Sequence, residues 1–209
     1  MVVIHRGLRR EARLLVELIA AVAPGDTARA QVLGDHFRDY RLGLTGHHGE
    51  DAYLWPPLMA RVDLEADLVL RMETQHERVA SSLAAAEEAL SAWEAGAGEA
   101  ERDTLVSVLT EHRSVLLEHL ADEEESVLPL AARHLSAYEW DRLGEHFLSS
   151  TPKPKLLFFL GTVLEDADRA ERAAMLAALP LAGRLLWHTV GRPAHVRRMR
   201  AVRRTVAPR

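Results

Sequence analysis

The chain contains no cysteine. That excludes disulfides, thiolate metal sites and cysteine nucleophiles, and it fits a reducing compartment. Aromatic residues are scarce, at 5% of 209. No run of alternating β-branched residues stands out, so strands are not expected. Nor is there a segment that reads as membrane-spanning. The first apolar run, Leu14 to Ala23, is interrupted by Glu17 and preceded by Glu11. A secretory signal does not normally carry such charges, so the expected setting is cytoplasmic, with no membrane partner. Excess positive charge is also missing, since the formal net charge is -5. Residues 172 to 209 carry no acid, while Arg184, Arg192, Arg197, Arg198, Arg200, Arg203, Arg204 and Arg209 accumulate there. This tail lacks interleaved aromatics, so a solvated or protein-facing helix is expected rather than a nucleic-acid contact.

What is present is apolar and helical in its spacing. Hydrophobic residues make up 48% and charged residues 27%, which supports one large domain or a domain with an appendage. Leu8, Leu15, Leu18 and Val22 recur at helical steps, predicting a first helix over residues 3–23. Pro24-Gly25-Asp26 stops it, and Asp26 or Thr27 can cap the next. A second helix is expected over 27–61, bending near Gly43 to Gly46 and at Pro56-Pro57. A third is expected over 64–95, capped by Asp63 and ended by Gly96-Ala97-Gly98. A fourth is expected over 99–134, kinked at Pro129. Long helices joined by short turns must run antiparallel, so residues 1–134 read as an all-α, up-down four-helix bundle. Residues 135–209 read as a helical extension with a basic tail. In it Ser136 with Glu139, and Asp168 with Glu171, have the spacing of capping boxes. The apolar run from Lys155 to Leu164 is expected to pack on the bundle.

Two stretches carry chemistry. In His47-His48-Gly49-Glu50-Asp51, His47 and Asp51 stand one helical turn apart on one face. In His119-Leu120-Ala121-Asp122-Glu123-Glu124, His119 and Glu123 repeat the spacing. Each stretch runs on to a proline. Imidazole beside carboxylate suits iron or zinc, and an ion would neutralise an otherwise costly buried pair. One such pair alone is usually a solvated i,i+4 contact; the repetition argues against that here. Depth adds to it. His5 and His47 each lie about 20 residues from the first turn, and His76 and His119 about 20 from the Gly96 turn, so each is roughly 30 Å from its turn. Hairpins packed in register would bring one histidine from each helix into one layer.

Together His5, His47 with Asp51, His76, and His119 with Glu123 or Glu124 resemble the hemerythrin-like, or HHE cation-binding, family. The Leu-Trp-Pro and Leu-Pro trailers are also similar to it, and the resemblance covers roughly residues 1–134. It implies a four-helix bundle holding two non-haem irons, bridged by carboxylates or an oxo group and completed by histidines. Zinc or manganese are substitutes the same residues would accept. Dioxygen, peroxide or nitric oxide would be the small ligand. Oxygen-carrying members present two histidines one turn apart in the third helix; here the flanking positions are Met72 and Ala80. A thioether is a poor ligand for hard iron. One iron is then a ligand short, or His48, Glu50 or a water fills in, which favours redox chemistry or sensing over carriage.

The expected metal ligands are therefore His5, His47, Asp51, His76, His119 and one or both of Glu123 and Glu124. Aligning the histidines selects Glu123; aligning the prolines selects Glu124. His48, about 100° around the helix from His47, reads as a rim or supporting residue. His36 and His112 read as structural, and His134, His146, His188 and His195 carry no assignment. Trp55, Trp93, Trp140 and Trp187 read as packing. Three functions follow. The first is a redox protein that binds, senses or reacts with dioxygen, peroxide or nitric oxide, peroxide decomposition included. The second is an iron sensor or store signalling to a protein partner through the extension. The third is a helical interaction module without metal.

Overall fold

The computed structural model describes residues 1–49, 51–62 and 66–204. Among them there is no strand. The helices are α1 (Val2–Ala20), α2 (Thr27–Gly49), α3 (Asp51–Met59), α4 (Ala66–Glu94), α5 (Glu99–Asp122), α6 (Leu128–His134), α7 (Ala137–Ser150), α8 (Lys153–Asp166), α9 (Arg169–Ala178), α10 (Leu181–Leu186) and α11 (Arg192–Arg203). Two π-helical turns, Glu123–Val127 and Trp187–Gly191, lie between α5 and α6 and between α10 and α11.

Helices α1, α2, α4 and α5 touch in a closed cycle: α1 on α2, α2 on α4, α4 on α5, α5 on α1. Paired side chains fix the sense of two of these contacts. Along α2 and α4 the pairs are Arg38 with Glu94 and Arg41 with Glu87, so one number rises as the other falls. Along α4 and α5, Gln75 meets Asp122, Arg78 meets Glu118 and Ser82 meets His112. The main core lies inside this cycle, with Leu15, Ile19, Leu33, Phe37, Leu90 and Trp93 fully buried. A smaller apolar cluster of Leu54, Leu58, Met72, Val127, Ala131 and Leu143 closes one end.

The turns are made as their residues dictate. Gly25 takes a left-handed φ of 81°, which glycine tolerates without a Cβ clash. The Asp26 carboxylate accepts from the Arg29 amide at 2.9 Å and so caps α2. Both expected capping boxes are formed, at Ser136 with Glu139 and at Asp168 with Glu171.

Several boundaries differ from expectation. The second helix ends at Gly49, without a break at Gly43 to Gly46, and a separate α3 follows. Pro56 and Pro57 sit inside α3, where the amides of Ala60 and Val62 continue the turn at 3.1 and 2.9 Å. Glu50 and the expected cap Asp63 lie outside the described residues. The expected kink at Pro129 is instead a wide turn that begins at Glu123. A proline lacks its amide and its ring crowds the carbonyl four residues back; widening the preceding turn relieves both. The same arrangement recurs at Pro193, which follows the second π turn at the same offset.

Residues 135–204 are not a loose appendage. Helix α8 packs on α1, α11 on α8 and α2, and α7 on α2 and α3. Met199 and Val202 belong to the main core. The Arg29 guanidinium donates to the carbonyls of Ala201 and Val202, and buried Asp39 takes both Lys155 and Arg198. Trp93 and Trp187 are buried, and Trp55 and Trp140 pack on the smaller cluster, so all four tryptophans serve packing. No helix among the described residues is long and apolar enough to cross a membrane.

Candidate metal centre

Between the main core and the smaller apolar cluster lies a layer of imidazoles. His5 comes from α1, His47 and His48 from α2, His76 from α4 and His119 from α5. His5, His47 and His119 are each at most 3% exposed. Their rings touch in a continuous series. His5 and His47 have centroids 5.0 Å apart, His47 and His48 5.6 Å, His48 and His76 5.0 Å, and His76 and His119 4.5 Å. The four histidines expected to share one level are thus gathered there.

Side-chain atoms that could hold a metal ion fall into two groups, each closed within 4.8 Å: His5, His47 and Glu123, and His48, His76 and His119. In the first, the Nε2 atoms of His5 and His47 are 3.1 Å apart. Glu123 Oε2 lies 3.4 Å from His5 Nε2 and 3.9 Å from His47 Nε2. The same oxygen is 3.9 Å from His119 Nε2, in the second group. Glu123 therefore stands between the two groups and faces both. It is 4% exposed.

Glu123 and Glu124 divide the two edges of one ring. Glu123 faces Nε2 of His5; Glu124 Oε1 lies 2.9 Å from Nδ1 and is also held by Arg9 at 2.7 Å. Burial raises the Glu124 pKa, but the hydrogen bonds from Arg9 and His5 outweigh it and the net shift is downward. An ionised carboxylate can only accept, so His5 Nδ1 carries the hydrogen and donates. His5 Nε2 then offers its lone pair toward His47 and Glu123. Successive helical side chains diverge by about 100°, so these adjacent carboxylates reach opposite edges of the ring. Either alignment of the sequence found a true neighbour of His5, but they play different parts.

Beside them Gln75, itself buried, donates to Asp122 at 2.8 Å, and Arg71 reaches the same carboxylate at 3.2 Å. This ties α4 to α5 next to His76 and Glu123. Burial, then the neighbouring His47, pushes the His5 pKa down to about 3, against the hydrogen bond that His5 donates to Glu124. His48 is also held well below its ordinary value, first by burial and then by the histidines around it. Both are neutral at ordinary pH, the form in which imidazole binds a metal.

His48 departs from its expected place. It faces His76 and His119 rather than the rim. The reason lies in packing. Helix α2 touches α1 on one side and α4 on the other, so residues about 100° apart each face a different neighbour. His47 turns to His5 and His48 to His76. The sequence signal was the missing second histidine of the third long helix, whose place Met72 fills as a buried core residue. Arg9 and Gln75 were not anticipated; Arg9 lies one turn after His5, which is the clue. The Asp51 side chain and Glu50 lie outside the described residues.

The other histidines do not join the layer. His36 Nε2 pairs with buried Glu11 at 2.7 Å and His112 hydrogen-bonds Tyr40 at 2.8 Å. His195 pairs with Glu165 at 2.9 Å, in the extension.

The donor set fits a metal pair. Nitrogen and carboxylate oxygen converge in two adjacent groups, with no sulfur, in a layer closed above and below by apolar side chains. Such donors suit iron, zinc or manganese. A family model described as Hemerythrin HHE cation binding domain matches residues 1–131. Comparison with curated proteins and with solved structures found no match.

Proposed function

Because the chain belongs to the hemerythrin HHE cation-binding family, we propose that it is a non-haem di-iron protein that binds, senses or reacts with dioxygen, peroxide or nitric oxide. We take residues 1–134 as an antiparallel four-helix bundle around the site and residues 135–209 as a helical extension docked on it. The observation that carries the reading is Glu123, whose carboxylate faces two separate groups of imidazoles at 3.4 to 3.9 Å.

His5, His47 and Glu123 would hold one ion, and His48, His76 and His119 the other. Asp51, one turn after His47 in sequence, would add a second carboxylate, as its match to the His119–Glu123 spacing implies. Bound iron supplies electrons to, and takes them from, dioxygen, peroxide or nitric oxide. The protein supplies the rest. Glu124 and Arg9 fix the tautomer and aim of His5, and such supporting carboxylates orient ligands and raise their basicity. Leu54, Leu58, Met72 and Val127 cover the layer at its near end and limit water. The third long helix offers His76 with Met72 one turn before it, and a thioether is a poor ligand for hard iron, which favours reaction or sensing over reversible carriage.

A second reading keeps the metal but makes the chain a sensor that reports to a protein partner. Leu181, Leu185 and Val190 on the extension favour it, being 78%, 66% and 52% exposed.

Metal analysis after anaerobic loading with ferrous iron tests the proposal. One iron per ligand group is expected, with near-ultraviolet absorption after exposure to air. His48→Ala should lose the ion of the second group and keep the first. A wild-type chain that takes up no iron would leave only a helical interaction module.

A further inference from the structure

Two turns deeper than the imidazole layer, the four long helices meet in a second polar layer. Glu11 lies six residues after His5, Tyr40 seven before His47, Ser82 six after His76 and His112 seven before His119. At about 1.5 Å per residue each is roughly 10 Å along its own helix from a proposed metal ligand. Glu11, Tyr40 and His112 are buried, Tyr40 at 4% and His112 at 1% exposure, and Ser82 is partly buried beside them.

The hydrogen bonds of this layer have one direction. Ser82 Oγ lies 3.0 Å from the Val79 carbonyl, which can only accept, so the Ser82 hydroxyl donates to it. Its hydrogen is then used, and Ser82 Oγ accepts from His112 Nδ1–H at 2.9 Å. That leaves His112 Nε2 without hydrogen, facing the Tyr40 hydroxyl at 2.8 Å. Tyr40 therefore donates to a base whose tautomer is set from behind. Burial, then the charge of Glu11, raises the Tyr40 pKa, and burial lowers that of His112 to about 4. Both rest neutral. Glu11 is itself held by His36 at 2.7 Å and by Arg10.

A buried phenol needs only one partner to be satisfied. This one has a proton acceptor of fixed tautomer and stands about 10 Å along α2 from His47. We propose that Tyr40, with His112 as its proton acceptor, is a redox-active site that gives one electron to the metal centre after that centre has reacted with peroxide. The inference rests on the di-iron reading above. In the step Tyr40 loses one electron and the centre gains it. The Tyr40 O–H bond breaks as an N–H bond forms at His112 Nε2. The products are a neutral phenoxyl and an imidazolium. An external thiol then gives one electron to the phenoxyl while His112 returns its proton to the Tyr40 oxygen, and the thiol leaves as a thiyl radical and a released proton. Tyr40 thereby draws the oxidant away from the ligands.

The chain has three tyrosines, and Tyr53 and Tyr138 are exposed, so Tyr53→Phe with Tyr138→Phe leaves Tyr40 alone. The metal-free full chain in this background, oxidised with hexachloroiridate(IV), should give a neutral tyrosyl radical by electron paramagnetic resonance. Formation should slow in D2O, and His112→Gln should slow it by on the order of a hundredfold, as loss of a positioned base does. A chain folded by circular dichroism that yields no tyrosyl signal would overturn the proposal. So would a rate indifferent to D2O, a measurement that stands even where His112→Gln fails to fold. The iron-loaded chain mixed with hydrogen peroxide and freeze-quenched should show the same radical. Its absence there, with the metal-free signal present, would overturn the metal centre as oxidant. Failure to load iron at all would instead count against the di-iron reading and is measured separately.

Discussion

His5 has a carboxylate at each ring nitrogen, and the two do different work. Glu123 faces Nε2, between the two ligand groups. Glu124, anchored by Arg9, faces Nδ1 and sets the tautomer. Glu124→Gln should therefore weaken iron binding without removing a ligand, by roughly 10- to 100-fold as for other supporting partners. Competition with a calibrated chelator measures this. An unchanged affinity would mean that Glu124 only decorates the surface. His112 gives a second, pH-dependent expectation. Its pKa is lowered to about 4 in the fold by burial, against about 6.5 unfolded. Between those values the unfolded chain binds more protons, so stability falls as pH drops from about 6.5 to about 4 and is unaffected by this group above that window. His5 and His48 are shifted in the same direction. Urea unfolding of the metal-free chain across this range should show the loss, and His112→Gln should remove one proton's share of the slope.

At the scale of helices, spacing predicts which imidazoles the fold gathers. Equal distances from the turns placed His5, His47, His76 and His119 in one layer because helix rise is uniform and short turns leave little freedom. Where the rise is not uniform, spacing leaves two carboxylates open. The π turn at Glu123–Val127 shifts the phase between His119 and Pro129, so the histidine and proline alignments name different glutamates, and neither alone says which one stands between the candidate ligand groups. The facing of His48 was hidden for another reason. It depends on α2 lying between α1 and α4, which is a fact of packing and not of any local motif. Pro129→Ala should let the wide turn tighten toward an ordinary α-helix and rotate Glu123 and Glu124. Helical circular dichroism should stay near wild type while iron affinity falls by roughly tenfold, the lower end for lost ligand orientation. Wild-type affinity in this variant would separate the turn from the site.

Across the whole molecule, polar and apolar layers alternate along the long helices. An apolar cluster with Met72 and Leu54 closes one end, the imidazole layer follows, and Tyr40 and His112 form a second polar layer within the main core. The extension completes this arrangement through Met199, Val202 and the ion pairs at Asp39. Composition foretold a helical chain with a basic tail. It did not foretell that the tail's Arg198 would meet a buried acid on α2, since such pairing joins residues far apart in sequence. The account depends most on the two groups of ligands being two metal positions. Anomalous scattering at the iron edge from crystals of the iron-loaded chain decides this directly. The account predicts two peaks, one enclosed by His5, His47 and Glu123 and one by His48, His76 and His119, with Glu123 beside both. A single peak, or iron bound only outside this layer, would contradict it.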